Sequence, residues 1–501
     1  MGSNWRDAAA AAGAFVVALA LRLSMLPAAP YGDEAAHYSM ARTLGFLDRS
    51  VHWLDLEIPF QLYPLTLGRP VFAVLHAPGA AFGFSAFRLL GMVYAALLAP
   101  LAYGLARHLG VRRPLSLAVA FAIGVVPSFV VWGARTFPDN AMASLAVAGL
   151  WAWVAGRPRL ASALLLAACW TKETAIPVVV GLAVYELARG IRSRLSKGLR
   201  GWSGWRPRGG EAWLLGTVVV APLAGIAAYV AVPKLPGWTT GGTLGSAVET
   251  LLLSSWLFGP ALVAAACVPR ARPIVAALAA LLAFYAVFIV VRGGGINGWY
   301  AILPGALALV ASAVALDTGL RSVHWPRPAA GLATAGLCLV LAVGVAGGHG
   351  GIATAMHPLD PRSEPGLAPS IRFVAAENGW LTNAIEFQER QAPARVLEMD
   401  LAWYWIDYPF AGSAATLFSY TVSYEEGRIP IGTLVEWGES SDLTWLQDWN
   451  STFHQAFKAT YADCRVFESG QLNAYYLQTC KGREDSLRAN LQARETVVFA
   501  A

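Results

Sequence analysis

Charged side chains are scarce in this sequence, which has 501 residues but only 14% Asp, Glu, Lys and Arg. Soluble domains carry about 25% charged residues, so the composition excludes an ordinary soluble protein. Hydrophobic residues make up 56% of the chain, and the mean hydropathy is +0.50. The 37 basic residues exceed the 31 acidic residues only slightly. Basic cytoplasmic loops explain this excess, so the charge gives no reason to expect a nucleic-acid partner.

Cysteine is also rare, and no Cys/His cluster in the sequence has the spacing of a zinc site. Three of the five cysteines, Cys169, Cys267 and Cys338, fall in apolar stretches, where cysteine usually serves as a small packing residue. Cys464 and Cys480 lie in the polar C-terminal part of the chain. If that part faces an oxidising compartment, we expect these two residues to form a disulfide bond.

Long apolar stretches dominate the first 347 residues, and about eleven of them are candidate membrane-spanning helices. The sequence therefore predicts a polytopic α-helical membrane protein. No cleavage-site pattern follows the first stretch, which we interpret as a span and not as a signal peptide. The fifth and sixth stretches are short and interrupted by Lys172 and Glu173, so they indicate either two half-length helices or one broken hairpin. The candidate spans are roughly 8–26, 85–108, 114–131, 140–155, 160–170, 175–188, 212–232, 248–268, 274–291, 300–316 and 329–345.

The distribution of arginine and lysine predicts a cytoplasmic N-terminus in the plasma membrane, because basic loops remain on the inner side. With this orientation, the inner loops are almost free of acidic residues. Their basic residues are Arg107, Arg112, Arg113, Arg157, Arg159, the run 189–208, Arg270, Arg272, Arg321 and Arg327.

The sequence divides into a transmembrane domain, 1–347, and a more polar region, 348–501. The transmembrane domain includes an outer loop, 27–84, rich in aromatic residues and proline, in which we expect one or two amphipathic helices. We expect 348–501 to form an extracytoplasmic mixed α/β domain. In that domain, the runs 394–408 and 473–480 are typical of strands, whereas 441–461 is typical of a helix capped by Ser440 or Ser441.

Four polar clusters lie at the ends of predicted spans. All four fall on the outer side, although the orientation was derived from the inner-loop arginines and lysines alone. The first contains Asp33 and Glu34, directly after the first span. His37 follows Asp33 by four residues, so the two share one face of a helix. A carboxylate in this position can act as a general base or bind a metal. The alternative is a solvated acidic residue that caps a helix.

The other three clusters supply a second carboxylate and several cations. Residues 135–140 include Asp139, which either faces the same cavity as Asp33 or caps the next helix. Lys172 either neutralises a phosphate or pairs with its acidic neighbour. Arg292 precedes a glycine-rich stretch ending at Tyr300, which either surrounds an anion with backbone N–H groups or is a flexible connector. Carboxylates and cations together are what a nucleophile and a lipid-phosphate leaving group require.

The order and spacing of several motifs resemble the GT-C class of membrane glycosyltransferases, which includes protein O-mannosyltransferases and lipid A aminoarabinose transferase. The resemblance covers roughly the first 320 residues. Its motifs are GDEAAHYSMAR, GRPVFAVLHAPGAAFGFSAFRLLGMVYAALLAPLAYGLARHLG, VPSFVVWGARTFPDNAMASL, TKETAIP and GWYAILPGALALV.

This resemblance implies an inverting transfer of a sugar from a polyprenyl-phosphate donor to an acceptor protein, lipid or glycan at the outer face. It implies Asp33 as the catalytic residue, with Asp139 as a further acidic residue and candidate catalytic residue, and Lys172 near the lipid phosphate. Many relatives have tyrosine at the position of His37, so a divalent metal beside Asp33 is an alternative. No other cofactor is expected. The remaining candidates are Glu34 as a second catalytic residue, Arg135 and Arg292 for the donor phosphate, and His37, Tyr38 and Tyr300 for substrate.

Two other functions fit a polytopic membrane protein. A transporter or flippase for a lipid-linked substrate would place charges near the middle of its spans and often contains inverted repeats. Here the charges lie at span ends, and no repeat is evident. A non-catalytic membrane scaffold would leave the four polar clusters on one side unexplained. The sequence therefore favours the glycosyltransferase.

Overall fold

The computed structural model describes residues 4–26, 34, 37–38, 41, 69–195, 209–231, 259–292, 300, 302–322, 387, 390, 396–399, 414–416, 443–447, 452–469, 472–475 and 483–498. The chain divides into two compact units. A helical unit comprises residues 1–26 and 63–373, and a mixed unit comprises 27–62 and 374–501. The domain boundary predicted at 347/348 stays a prediction.

The helical unit is a bundle of apolar helices. Short 3-10 turns, Glu173–Ala175 and Pro269–Ala271, precede two of them. The helices are α1 (Asn4–Leu23), α2 (Pro70–Ala80), α3 (Phe84–His108), α4 (Arg113–Val125), α5 (Pro127–Gly133), α6 (Pro138–Val154), α7 (Pro158–Thr171), α8 (Ile176–Leu195), α9 (Gly209–Ala231), α10 (Gly259–Cys267), α11 (Arg272–Arg292) and α12 (Ile302–Ser322).

Apolar length confirms the membrane class that the composition predicts. Among the residues described, four stretches are long and apolar enough to cross a membrane: Phe84–His108, Glu173–Ser193, Pro269–Val287 and Ile302–Ser322. The protein is therefore a polytopic α-helical membrane protein. The count of about eleven spans stays a prediction, because 232–258 and 323–347 lie outside the described residues. Helix α2 lies within the predicted outer loop and packs against α3 and α7.

The third predicted span is broken, which differs from the single helix expected over 114–131. Helix α4 ends at Val125, Val126 is extended, and α5 begins at Pro127. Proline has no N–H group, so Pro127 cannot bond the carbonyl of Ile123 four residues earlier. The guanidinium of Arg22 enters this break and donates from Nη2 to the carbonyls of Phe129, at 2.8 Å, and Ile123, at 3.4 Å.

The fifth and sixth spans are two separate helices of 14 and 20 residues, α7 and α8. Lys172 lies between them in an extended conformation, with φ −157° and ψ 132°. Pro177 explains the break, because its ring prevents α7 from continuing and is accommodated in the first turn of α8. Helix α9 packs against both α7 and α8.

The bundle has two polar ends. The end where α6 and α12 begin and α7 stops is called the site end here. The end where α3, α6 and α12 stop is called the basic end. Helix α6 has 17 residues, so the two ends lie about 25 Å apart, close to the thickness of a bilayer core. The inner-loop arginines that pair with carboxylates at the basic end are Arg107, Arg112, Arg113, Arg270 and Arg321.

The mixed unit contains a five-stranded sheet with the order β2-β1-β3-β5-β4. Strand β1 is parallel to β2 and β3, whereas β5 is antiparallel to β3 and β4. Helices α13 and α14 pack against each other. The elements are β1 (Val396–Met399), β2 (Ala414–Thr416), β3 (Leu443–Gln447), α13 (Thr452–Thr460), β4 (Arg465–Ser469), β5 (Leu472–Tyr475) and α14 (Glu484–Val498).

The helix predicted over 441–461 is wrong in its first part. Residues 443–447 form β3, the central strand of the sheet, and only 452–460 form a helix. The β-branched Thr444 and the aromatic Trp445 favour a strand, and β3 pairs with neighbours on both sides. The second part of the predicted helix is confirmed, and its Phe453, Ala456 and Phe457 are buried on one face.

Candidate active site at the site end of the bundle

A buried ion pair between Asp139 and Lys172 forms the centre of the candidate site. The Nζ atom of Lys172 lies 2.8 Å from Oδ1 and 2.7 Å from Oδ2 of Asp139. The two side chains are only 3% and 1% exposed. Pro138 begins α6 and places Asp139 in its first turn, where the helix dipole favours a negative charge. The carboxylate bonds to Lys172, and α6 has no side-chain cap.

One tyrosine contacts the ammonium group of Lys172, and a second holds the first. The Nζ atom lies 4.0 Å from the centre of the Tyr300 ring, within the range of a cation–π interaction. The buried Tyr285 of α11 meets the Tyr300 ring edge-on and donates its hydroxyl to the carbonyl oxygen of Tyr300 at 3.2 Å. Tyr285 therefore fixes the position of the aromatic ring that contacts Lys172.

A second, looser ion pair lies beside the first. The Nε atom of Arg69 is 3.8 Å from Oε2 of Glu173, and the side chains are 18% and 29% exposed. Arg69 directly precedes α2, while Glu173 directly follows Lys172. The charge of Arg69 also acts on both Asp139 and Lys172. These two ion pairs thus contribute two cations and two carboxylates to the site.

The turn between α5 and α6 is held by backbone contacts. Asn140 donates from Nδ2 to the carbonyls of Trp132, at 3.1 Å, and Arg135, at 2.6 Å. Gly91 allows the turn to approach α3, because a Cβ atom there would lie 2.6 Å from Oγ1 of Thr136. The side chain of Arg135 is itself buried. This packing fixes the start of α6 and therefore the carboxylate of Asp139.

The first-loop candidates fall in the mixed unit. Glu34, His37 and Tyr38 are helical and buried, as is Ala41. Their spacing of three and four residues places them on one face of a helix. Asp33, the predicted base, lies outside the described residues. Arg292 is the last residue of α11, but its side chain is not among those described. The metal alternative at Asp33 and His37 therefore stays open.

The described cysteines of the helical unit are free, whereas the described cysteine of the mixed unit is disulfide-bonded. Cys169 is free and buried in α7, and Cys267 is free. Cys464, in a 3-10 turn before β4, is disulfide-bonded. Its predicted partner, Cys480, lies outside the described residues, so the pairing of these two stays a prediction.

With this geometry in place, the fold can be compared with solved structures. It is similar to ArnT from Cupriavidus metallidurans bound to undecaprenyl phosphate, with a TM-score of 0.53 and 13% identity. Apo ArnT from the same organism gives a TM-score of 0.54 and 14% identity. Each alignment covers 95% of this chain and 98% of the other. The chain has the GT-C fold. No known protein family and no curated protein matches the sequence.

The GT-C fold confirms the architecture implied by the sequence motifs. The sequence analysis did not assign a role to Arg69 or Tyr285. One feature of the sequence could have drawn attention to Arg69. It directly precedes the proline that begins α2, which places its charge at a helix end. No feature of the sequence singles out Tyr285, because it lies within an apolar stretch and its partner, Tyr300, lies beyond the end of that helix.

Proposed function

We propose that this protein is an integral-membrane glycosyltransferase that moves a sugar from a polyprenyl-phosphate donor to an acceptor at the outer face of the plasma membrane. The observation that carries the proposal is a buried Lys172–Asp139 pair at one end of a GT-C fold. The similar ArnT structure is bound to undecaprenyl phosphate, which supports a lipid phosphate as the donor group. The orientation follows from the arginines gathered at the opposite end.

In the proposed reaction, a nucleophilic oxygen or nitrogen of the acceptor attacks the anomeric carbon of the sugar. The bond between that carbon and the phosphate oxygen breaks, and the lipid phosphate leaves with the electron pair. Asp33 takes the proton of the acceptor, and Glu34 lies beside it in sequence. One base is sufficient, because inversion needs no covalent intermediate.

Lys172 is proposed to stabilise the negative charge that develops on the leaving phosphate, together with Arg135 and Arg292. The ammonium group carries three N–H bonds, and Asp139 occupies two acceptor positions around it. The Tyr300 ring lies on the remaining side, 4.0 Å from Nζ, so a phosphate oxygen would take the third N–H in place of the ring. The geometry favours Asp139 as the residue that orients Lys172, because both of its oxygens already accept hydrogen bonds. Glu34 as a second catalytic residue and His37, Tyr38 and Tyr300 as substrate contacts belong to the same proposal.

The position of the charges argues against the transporter alternative. Asp139 lies in the first turn of α6, and Lys172 lies directly after the end of α7. Binding sites of secondary transporters usually lie near the bilayer midplane, on broken helices. The pair described here lies at helix ends, where a donor phosphate and an acceptor from the aqueous side can meet.

The test is sugar transfer in membranes that express the protein, using labelled polyprenyl-phosphate sugars as donors. We expect transfer to an acceptor in the parent and none in Asp33→Asn. Asp7→Asn is the matched control, because it removes a carboxylate from the basic end, where Asp7 pairs with Tyr103 and Arg107. Equal transfer in the parent and Asp33→Asn would exclude Asp33 as the base. No transfer with any donor, from protein shown to be folded, would refute the glycosyltransferase.

A further inference from the structure

A cavity lies at the basic end of the helical unit, far from the site just described. Its volume is about 760 Å³, within the range of about 300–1,000 Å³ that is usual for ligand pockets. It is surrounded by the ends of α3 and α6, the middle of α8, the start of α7, and the 3-10 turn and first residues that begin α11. Its polar and aromatic lining residues are His108, Trp153, Tyr185, Glu186, Arg189 and Arg270.

The wall of this cavity has an ordered polar network. Glu186, whose side chain is 6% exposed, accepts a hydrogen bond from Nε1 of Trp153 at 2.9 Å. Its other oxygen lies 2.5 Å from Nη2 of Arg189, which is itself 60% exposed. The buried carboxylate therefore holds one aromatic ring and one exposed cation at the rim. This arrangement leaves Arg189 accessible to a ligand.

Positive charge is in excess around the lining residue Arg270. Asp317 is completely buried and pairs with Arg112 at 2.6 Å, Arg270 at 3.4 Å and Arg321 at 2.8 Å. Arg270 and Arg321 also donate to the carbonyl of Gly110, which lines the cavity. Three guanidinium groups thus share one carboxylate, while Glu186 and Arg189 balance each other. The lining residues Arg189, Arg270 and Glu186 carry a net charge of +1, and Arg112, Arg321 and Asp317, which lie outside the lining, add a further +1. This positive charge favours an anion.

Apolar side chains lie directly beside the polar lining. Leu160, two residues after the cavity-lining Pro158, is 46% exposed. Val184 and Leu187, on either side of Tyr185 and Glu186, are 60% and 40% exposed. On a membrane protein, such side chains at the edge of a bundle contact acyl chains. A ligand in this place thus meets a cationic cavity at one end and lipid-facing surface along its length.

We propose that this cavity binds the phosphate headgroup of an anionic membrane lipid, with its acyl chains along Leu160, Val184 and Leu187. Basic pockets between transmembrane helices are suited to such headgroups, and tryptophan and tyrosine are typical of the level at which headgroups lie. The site is separate from the donor site, because α6 places the two about 25 Å apart. The proposal does not depend on the transfer reaction.

The test is lipid binding to the purified full-length protein in detergent, measured by native mass spectrometry with phosphatidylglycerol, phosphatidylcholine and glycerol 1-phosphate. Phosphatidylglycerol is expected to bind at least about tenfold more tightly than phosphatidylcholine. One cation at an anionic membrane surface contributes about 1 kcal/mol, which is about fivefold in affinity. Arg189→Gln should therefore weaken phosphatidylglycerol binding about fivefold.

Two further variants make the test specific. Glu186→Gln keeps the acceptor for Trp153 but removes a negative charge, so it should tighten phosphatidylglycerol binding about fivefold. Arg192→Gln removes an exposed cation one turn further along α8, outside the cavity lining, and should change binding less than twofold. Opposite shifts in affinity in Arg189→Gln and Glu186→Gln cannot result from a general loss of folding.

Four results would overturn the proposal. They are equal affinity for phosphatidylglycerol and phosphatidylcholine, equal effects of Arg189→Gln and Arg192→Gln, a loss of affinity in Glu186→Gln, and binding of glycerol 1-phosphate as tight as that of the lipid. The last would assign the cavity to a soluble phosphate compound. If Arg189→Gln does not fold, Glu186→Gln and Arg192→Gln still decide the question.

Discussion

Removing Lys172 should destabilise the protein far more than removing any exposed cation. Lys172→Met keeps the apolar part of the side chain but leaves the carboxylate of Asp139 buried without its ammonium partner. Two charge-assisted hydrogen bonds, at 2.8 and 2.7 Å, are lost. Each such bond contributes about 1.5–3 kcal/mol, and breaking a buried pair costs about 3–5 kcal/mol in total. Asp139→Asn should lower the free energy of unfolding by a similar amount.

The double variant, Lys172→Met with Asp139→Asn, should be more stable than the sum of the two single changes implies. Both charges are then absent, so neither remains buried alone. We expect a coupling free energy of about 2 kcal/mol or more in a double-mutant cycle. Unfolding of the full-length protein in mixed detergent can be followed by tryptophan fluorescence, because the chain contains 19 tryptophans.

The neighbouring pair provides the matched control. Arg69 and Glu173 are 3.8 Å apart and partly exposed, so Arg69→Gln should cost less than about 1 kcal/mol. Two results would refute the reasoning. One is a cost below about 1 kcal/mol for Lys172→Met, which an exposed pair would give. The other is strict additivity in the double variant, which would show that the two charges do not stabilise each other.

Three further changes test the packing and the second unit. Gly181→Ala would place a Cβ atom 2.4 Å from a backbone carbonyl of α11, so it should lower the free energy of unfolding by about 1–3 kcal/mol. Gly190→Ala on the same helix meets nothing within 4 Å and should be neutral or stabilising, by up to about 1 kcal/mol. Asp317→Asn removes the shared partner of three arginines and should cost about 3 kcal/mol in the same unfolding assay. In the mixed unit, the hydrogen bond from Arg483 lowers the pKa of Asp463, so this contact stabilises the fold above about pH 4 and is lost as pH falls through the folded pKa. Protection factors for hydrogen exchange in α14, which correct for the slower intrinsic exchange at low pH, should therefore fall on acidification in the parent, and less so in Asp463→Asn.

The sequence was sufficient to predict the class of protein and the ends of most helices. Apolar runs predict most of the helices directly, but they predict one helix over 114–131, although Pro127 begins a separate helix there. The pairing of Asp139 with Lys172 was not predictable. The residues are 33 positions apart, and an acidic neighbour, Glu173, was an equally good partner by sequence. Only the packing of α6 against α7 decides between them.

Arg22 shows a second limit of sequence analysis. At the end of the first apolar run it resembles an ordinary charged residue at a helix boundary. Its role depends on the break at Pro127, more than 100 residues later, where the carbonyl of Ile123, which lacks its helical partner, and the carbonyl of Phe129 accept its hydrogen bonds. Gly133 completes the arrangement, since a Cβ atom there would lie 2.4 Å from Nε of Arg22. Long-range complementarity of this kind has no local signature.

The charge balance of the site gives a physical reason for its composition. An ammonium group that is buried without a partner before the phosphate binds would lose several kcal/mol of hydration free energy. Asp139 offsets that loss and keeps Lys172 charged and oriented before any donor arrives. If the donor phosphate approaches Lys172, Asp139 must share its cation, and the nearby charge of Arg69 already acts on the same carboxylate. The two ion pairs can therefore exchange contacts when a phosphate arrives, and the further cation of Arg135 balances part of the charge that the phosphate brings.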